Sequence, residues 1–195
     1  MKRAFVLGNG QSRLAINSSN LKKYGTVYAC NAIYRDFLPD HLIAVDPKMV
    51  MELVQNNVQN TVPVYTNFNN RYKEIPNLNV FKPSKGWSSG PTALWLASTH
   101  GYDEVYILGF DYQGLEGNKK VNNVYSDTPN YKKSSDPATF YGNWLRQTEQ
   151  VVKEFAGVKY FRVNTKGAFD PGISAPNLTN IDYSIFVNQI NYTNW

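Results

Sequence analysis

The chain has 195 residues, a formal net charge of +5, 42% hydrophobic residues, and 14 Tyr, 10 Phe and 4 Trp. That length and aromatic content match one packed domain and exclude a mainly disordered chain, and no apolar run approaches the roughly 18 residues of a membrane span. Cys30 is the single cysteine, which excludes an internal disulfide and a multi-cysteine zinc site. The opening MKRAFVLGNG has too short an apolar stretch for a secretory segment, so the expected compartment is the cytoplasm. The positive charge is scattered and forms no basic tail; it fits a mildly basic surface or an anionic ligand or partner.

In chain order, Arg3–Leu7 is an apolar run ending at Gly8-Asn9-Gly10, which predicts a buried strand entering a glycine turn. Ser18–Tyr24 reads as a short helix. Thr26–Cys30 reads as a strand ending at Asn31, and His41–Val45 as a strand ending at Asp46-Pro47. Lys48–Asn56 carries helical spacing, and Val62–Tyr65 and Asn79–Phe81 are short strands. Ser88-Ser89-Gly90-Pro91 opens the clearest helix, Thr92–His100, with serines suited to the cap and proline to the first turn. Glu104–Leu108 has a buried-strand composition and ends at Gly109-Phe110-Asp111-Tyr112. Residues 113–137 are polar and read as a long mobile lid poorly suited to burial. Thr139–Phe155 returns to helical pattern, Lys159–Val163 is a last strand, and the extension 165–195 holds a short helix at Tyr183–Ile190.

Strands that alternate with helices predict an α/β fold: a mostly parallel, Rossmann-like sheet with helices on both faces, in a single domain. Ligands of such sheets lie beyond the carboxyl ends of the strands. The unusual residues fall at those ends, which predicts one shared site.

The motifs restrict the chemistry. Gly8-Asn9-Gly10-Gln11-Ser12 is a turn whose amides can approach an anion, with a helix N-terminus possible behind it; a plain tight turn is the other reading. The third glycine of the dinucleotide fingerprint is replaced by Arg13, and Asn31 stands where an acidic ribose clamp belongs, which disfavours NAD. There is no Walker A sequence and no Asp-x-Asp metal pair. His41 and His100, the only histidines, read as structural or solvent-facing, and Cys30 as packing.

Gly8-Asn9-Gly10-Gln11-Ser12, Cys30-Asn31-Ala32-Ile33-Tyr34, Ser88-Ser89-Gly90 and the run from His100-Gly101-Tyr102 to Gly109-Phe110-Asp111-Tyr112 occur in one order over residues 1–165. Together they resemble the bacterial sialyltransferase family typified by the Campylobacter lipooligosaccharide enzymes; a pterin pyrophosphokinase-like group shares the glycine opening. The resemblance implies a nucleotide-sugar transferase that uses a CMP-linked donor without an essential metal or cofactor. It implies that Gly8, Asn9, Gly10, Ser12 and Asn31 contact donor phosphate and ribose. Ser89 and Gly90 would offer helix N-terminal contacts, and Gly109, Phe110 and Asp111 would line base and ribose. Tyr125 and Tyr112 are the tyrosines expected at the leaving phosphate, where hydroxyls can stabilise developing charge. The histidine base that the family carries after its lid is absent; Asp136 is the nearest ionisable replacement, and Tyr141 a second one that needs a lowered pKa.

The resemblance therefore implies a metal-independent glycosyltransferase acting on a glycan or a modified DNA base. Two alternatives stay open: a nucleotide or pterin diphosphotransferase, and a non-catalytic nucleotide- or nucleic-acid-binding module.

Overall fold

The computed structural model describes residues 1–193. Eight strands form one sheet in the order β5-β4-β3-β2-β1-β6-β7-β8. They are β1 (Arg3–Leu7), β2 (Thr26–Cys30), β3 (His41–Ile43), β4 (Val64–Asn67), β5 (Leu78–Phe81), β6 (Glu104–Leu108), β7 (Lys159–Asn164) and β8 (Leu178–Asp182). Every neighbouring pair is parallel. The helices are α1 (Pro47–Gln55), α2 (Ser89–Thr99), α3 (Gly142–Glu154) and α4 (Tyr183–Ile190), with short 3-10 turns between strands. Among the described residues no helix is long and apolar enough to cross a membrane.

The two faces follow from the two-residue period of a strand. Phe5, Leu7, Val27, Tyr106 and Leu108 point to one face, where Met49, Val50 and Leu53 of α1 and Phe186 and Ile190 of α4 cover them. Ala4, Val6, Tyr28, Val105 and Ile107 point to the other, under Ala93, Leu94 and Ala97 of α2 and Val151 and Val152 of α3. Helix α2 is buried nearly all round, because it is sandwiched between the sheet and α3. It is also the return connection: the chain moves outward from β1 to β5, and α2 carries it back to β6 on the other flank of β1. The order reverses between β1 and β6, which is where a parallel sheet leaves a crevice at its carboxyl edge.

The α/β reading holds, with an all-parallel sheet in place of a mostly parallel one. Several local expectations change: α2 starts at Ser89, before the Thr92 expected, and β4 runs Val64–Asn67, against the Val62–Tyr65 expected. The Ser18–Lys23 segment is a 3-10 helix. Residues Gln11–Ala15 behind the first glycine turn are a five-residue 3-10 helix, so no α-helix N-terminus stands there. Helix α3 begins at Gly142, after the Thr139 expected. Strand β8 lies in the extension 165–195, whose last two residues fall outside the described ones; its sequence, Leu-Thr-Asn-Ile-Asp, is polar because it forms the sheet edge and leaves Thr179 and Asn180 exposed.

The two histidines meet at the amino edge of the sheet, away from the crevice. The His41 ring stacks on Tyr28 at 4.5 Å and lies 5.3 Å from His100, and the Tyr28 hydroxyl bonds His100 Nδ1 at 2.5 Å. Tyr65 also faces His41, and Tyr102 packs on Tyr28. Burial, and then the His100 charge, push the His41 pKa below its ordinary 6.5, with Asp40 opposing. The folded state thus prefers neutral His41. Its contribution is complete above 6.5 and declines as pH falls below that value, where the unfolded chain binds the proton more readily. We expect the urea midpoint to drop between pH 7.5 and 5.5, and the drop to shrink in His41→Phe, which keeps the ring. An unchanged pH dependence in the variant would remove His41 from this role.

Candidate functional site

The carboxyl ends of β1 and β6 approach so closely that neither turn admits a side chain at the contact. The Gly8 amide donates to the Leu108 carbonyl at 2.8 Å, and the Gly10 amide to the Gly109 carbonyl at 2.9 Å. A Cβ on Gly8 would lie 2.6 Å from the Gly109 carbonyl oxygen, and one on Gly109 2.7 Å from the Gly8 oxygen. Gly109 also adopts a φ of 71°, a left-handed conformation that glycine reaches without penalty. Phe110 then turns beneath the crevice, its ring edge packed under Gly8 and Gly90.

Three further elements complete the wall. Asn31 follows β2 with a φ of 56°, tolerable for asparagine. Its Oδ1 accepts from Ser89 Oγ at 3.0 Å, and Ser89 Oγ accepts from the Val45 amide at 3.1 Å, so the ends of β2 and β3 are tied to the start of α2. The Ser88 side chain makes no capping bond. The first-turn amides of Ser89 and Gly90 therefore stand uncapped at the cleft wall, with the positive end of the helix dipole behind them. Asp111 accepts from the Ser12 amide (3.1 Å), Ser12 Oγ, Asn122 Nδ2 (3.0 Å) and Asn164 Nδ2 (3.5 Å). The β1 turn, the β6 turn and the long loop are laced together at that one carboxylate.

Arg162 on β7 supports the floor from below. It is 3% exposed, donates from Nε to the Phe110 carbonyl at 2.9 Å and from Nη2 to the Asp111 carbonyl at 3.3 Å, and forms no ion pair among the described residues. Burial pushes its pKa down, opposed by Tyr112 and Asp111.

Of the residues singled out in the sequence, Gly8, Asn9, Gly10, Asn31, Ser89, Gly90, Gly109, Phe110, Asp111 and Tyr112 all line one cleft. Ser12 stands behind it, on Asp111. Tyr112 adopts a φ of 52°; its hydroxyl is buried against Thr148 Oγ1, and burial raises its pKa. Cys30 reaches the lining from a buried position that pushes its thiol up to about 12. Asn9 Oδ1 is buried without a hydrogen-bond partner among the described residues.

Three expectations need correction. Tyr125 does not line the cleft: its hydroxyl accepts from Arg13 Nη2 at 2.8 Å and donates to Asp36 at 2.6 Å, and burial raises its pKa. Asp136 does not line it either. Its carboxylate accepts from the Lys133 amide at 2.9 Å and closes a turn. Tyr141 does line the cleft, but burial raises its pKa, opposite to what a base needs. The loop 113–137 is also more anchored than a polar strap would be. Val121 and Tyr125 are buried, the Val124 amide donates to the Asn9 carbonyl at 2.8 Å, and the Tyr131 hydroxyl accepts from the Ala32 amide at 3.3 Å.

The cleft also contains residues that the sequence did not single out for it: Gln113, Asn122, Asn123, Thr139 and Trp144. They come from an irregular loop and one helix start, where no strand end flagged them. Among the described residues no three His, Cys, Asp or Glu side chains are grouped to hold a metal ion. Comparison of the chain with protein-family models, curated proteins and solved structures finds no match.

The Gly8–Gly109 crossing has a direct consequence for stability. A methyl group at Gly8 would meet backbone on one side and the Phe110 ring on the other, and neither can retreat without moving a strand end. We expect Gly8→Ala to lower stability by about 1–3 kcal/mol in urea unfolding. A wild-type midpoint in the variant would show that the crossing is loose.

Proposed function

We propose that the chain is a glycosyltransferase that binds a nucleotide-activated sugar in this cleft, with a CMP-linked donor and a glycan or modified DNA base as acceptor. The observation that carries the reading is the meeting, at the β1/β6 crossover, of the Gly8–Gly10 turn with the uncapped first turn of α2. The Gly8 and Gly10 amides are spent on the Leu108 and Gly109 carbonyls, so the Ser89 and Gly90 amides, with the helix dipole behind them, are what favour a phosphate there and stabilise the charge that develops when a sugar leaves it. Asn31 in place of an acidic residue after β2 argues against NAD, and the resemblance of the motifs supplies the sugar and the cytidine.

The acceptor hydroxyl must lose a proton when the sugar is transferred. Asp111 is the one carboxylate of the lining, and its oxygens already accept bonds from Ser12, Asn122 and Asn164. That favours, as second reading, a nucleotide-binding module without transfer activity.

Calorimetry with CMP, UDP, GDP, ATP with magnesium and a short DNA duplex separates these readings. We expect CMP to bind. We expect Asn31→Gly, which keeps the left-handed backbone and removes the amide, to weaken CMP binding about tenfold, the size of one good hydrogen bond. Asn31→Asp should weaken it further by placing a negative charge near the phosphate. ATP binding that requires magnesium would favour a diphosphotransferase, and salt-dependent duplex binding a nucleic-acid module. Equal CMP affinity in all three proteins would remove Asn31 from the site.

A further inference from the structure

We propose that Tyr141 and Trp144 form the stacking wall for a nucleobase, so that the base of a bound nucleotide lies along the start of α3 and not over Phe110. This rests on the nucleotide reading above and specifies where that ligand's aromatic part sits.

Aromatic surface in the cleft comes from four rings, and two are committed elsewhere. Phe110 is 7% exposed, and its edge lies against the backbone of Gly8 and Gly90, where Cβ atoms would come within 3.0 and 3.2 Å of the ring. Tyr112 is 8% exposed, its hydroxyl bonded to Thr148 and its ring covered by the Arg162 guanidinium at 5.7 Å. Tyr141 and Trp144 remain. Both are half-buried, both line the cleft, and their three-residue spacing at a helix start puts them on one side of the chain. Their rings meet edge to face, with centroids 5.2 Å apart and planes at 67°, so the pair can present one ring face outward while the other ring holds it in place.

The polar groups beside this wall suit a base more than an apolar ring. Gln113 and Asn123 line the same cleft, and neither the Gln113 side-chain amide nor Asn123 Nδ2 makes a hydrogen bond among the described residues. Carboxamides next to an aromatic face offer donors and acceptors to the edge of a heterocycle. The phosphate-favouring amides of Ser89 and Gly90 belong to the same cleft, as the two ends of a nucleoside monophosphate require.

The test compares CMP with ribose 5-phosphate, which keeps the sugar and phosphate and lacks the base. Calorimetry is run on the wild-type chain, Trp144→Leu and Trp144→Phe, with urea midpoints to establish that each variant is folded. The expected result is that CMP affinity falls about tenfold in Trp144→Leu and is largely kept in Trp144→Phe, while ribose 5-phosphate binds all three alike within about twofold. Quenching of tryptophan fluorescence by CMP in the wild type should disappear in Trp144→Phe. CMP binding that Trp144→Leu leaves unchanged would overturn the stacking wall and leave the nucleotide reading intact. Absence of binding by both CMP and ribose 5-phosphate to the wild type would overturn the nucleotide reading and this inference with it. A folding defect confined to Trp144→Leu leaves the decision to Trp144→Phe, where persistent quenching would contradict the proposal.

Discussion

The backbone contact between Gly8 and Gly109 is the constraint on which the rest of the cleft depends. Two parallel strand ends lie close enough for the Gly8 and Gly10 amides to donate to the Leu108 and Gly109 carbonyls, and a side chain on Gly8 or Gly109 would push them apart. The contact exists because α2 returns the chain to the far side of β1, making β1 and β6 neighbours. With the two turns locked, Phe110 falls beneath the floor, Asp111 swings toward Ser12, and the first turn of α2 closes the side. Arg162 fixes the same turn from below through carbonyl oxygens alone. A buried guanidinium that forms no ion pair among the described residues is costly, so a fold that keeps one gains backbone placement by it.

Much of this was legible in the sequence, and the reason is geometric. Strands β1, β2 and β6 were readable to the residue because central parallel strands are buried on both faces and so appear as continuous apolar runs. Their carboxyl ends were marked by glycine and asparagine, and the fold class alone brings those ends together. The cleft floor followed from strand-end residues without knowledge of side-chain contacts.

What stayed hidden had a physical reason in each case. Strand β8 is an edge strand with a polar sequence, so no apolar run announced it. The loop 113–137 reads as solvent-exposed, yet Tyr125 and Tyr131 dock it through hydroxyl bonds to Arg13, Asp36 and Ala32, partners distant in sequence. Asp136 looked like a catalytic substitute because of its place along the chain, whereas the loop uses it to close a turn. Tyr141 and Trp144 belong to a helix start whose orientation is set by α2 packing, which no local pattern encodes. Local periodicity specifies layers and strand ends; the long connection that furnishes half the cleft obeys contacts between remote residues.

On the proposed function, a nucleotide phosphate would be held at the first turn of α2 beside the β1/β6 crossover. Amide chemical-shift mapping during a titration with CMP tests it most directly, because the claim concerns backbone N–H groups. We expect the largest shifts at Gly8–Gly10, Asn31, Ser89–Gly90 and Gly109–Tyr112, with little change in the separate depression at Arg35, Lys48 and Glu52 beside α1. Shifts concentrated in that basic depression, with the crossover amides unmoved, would contradict it.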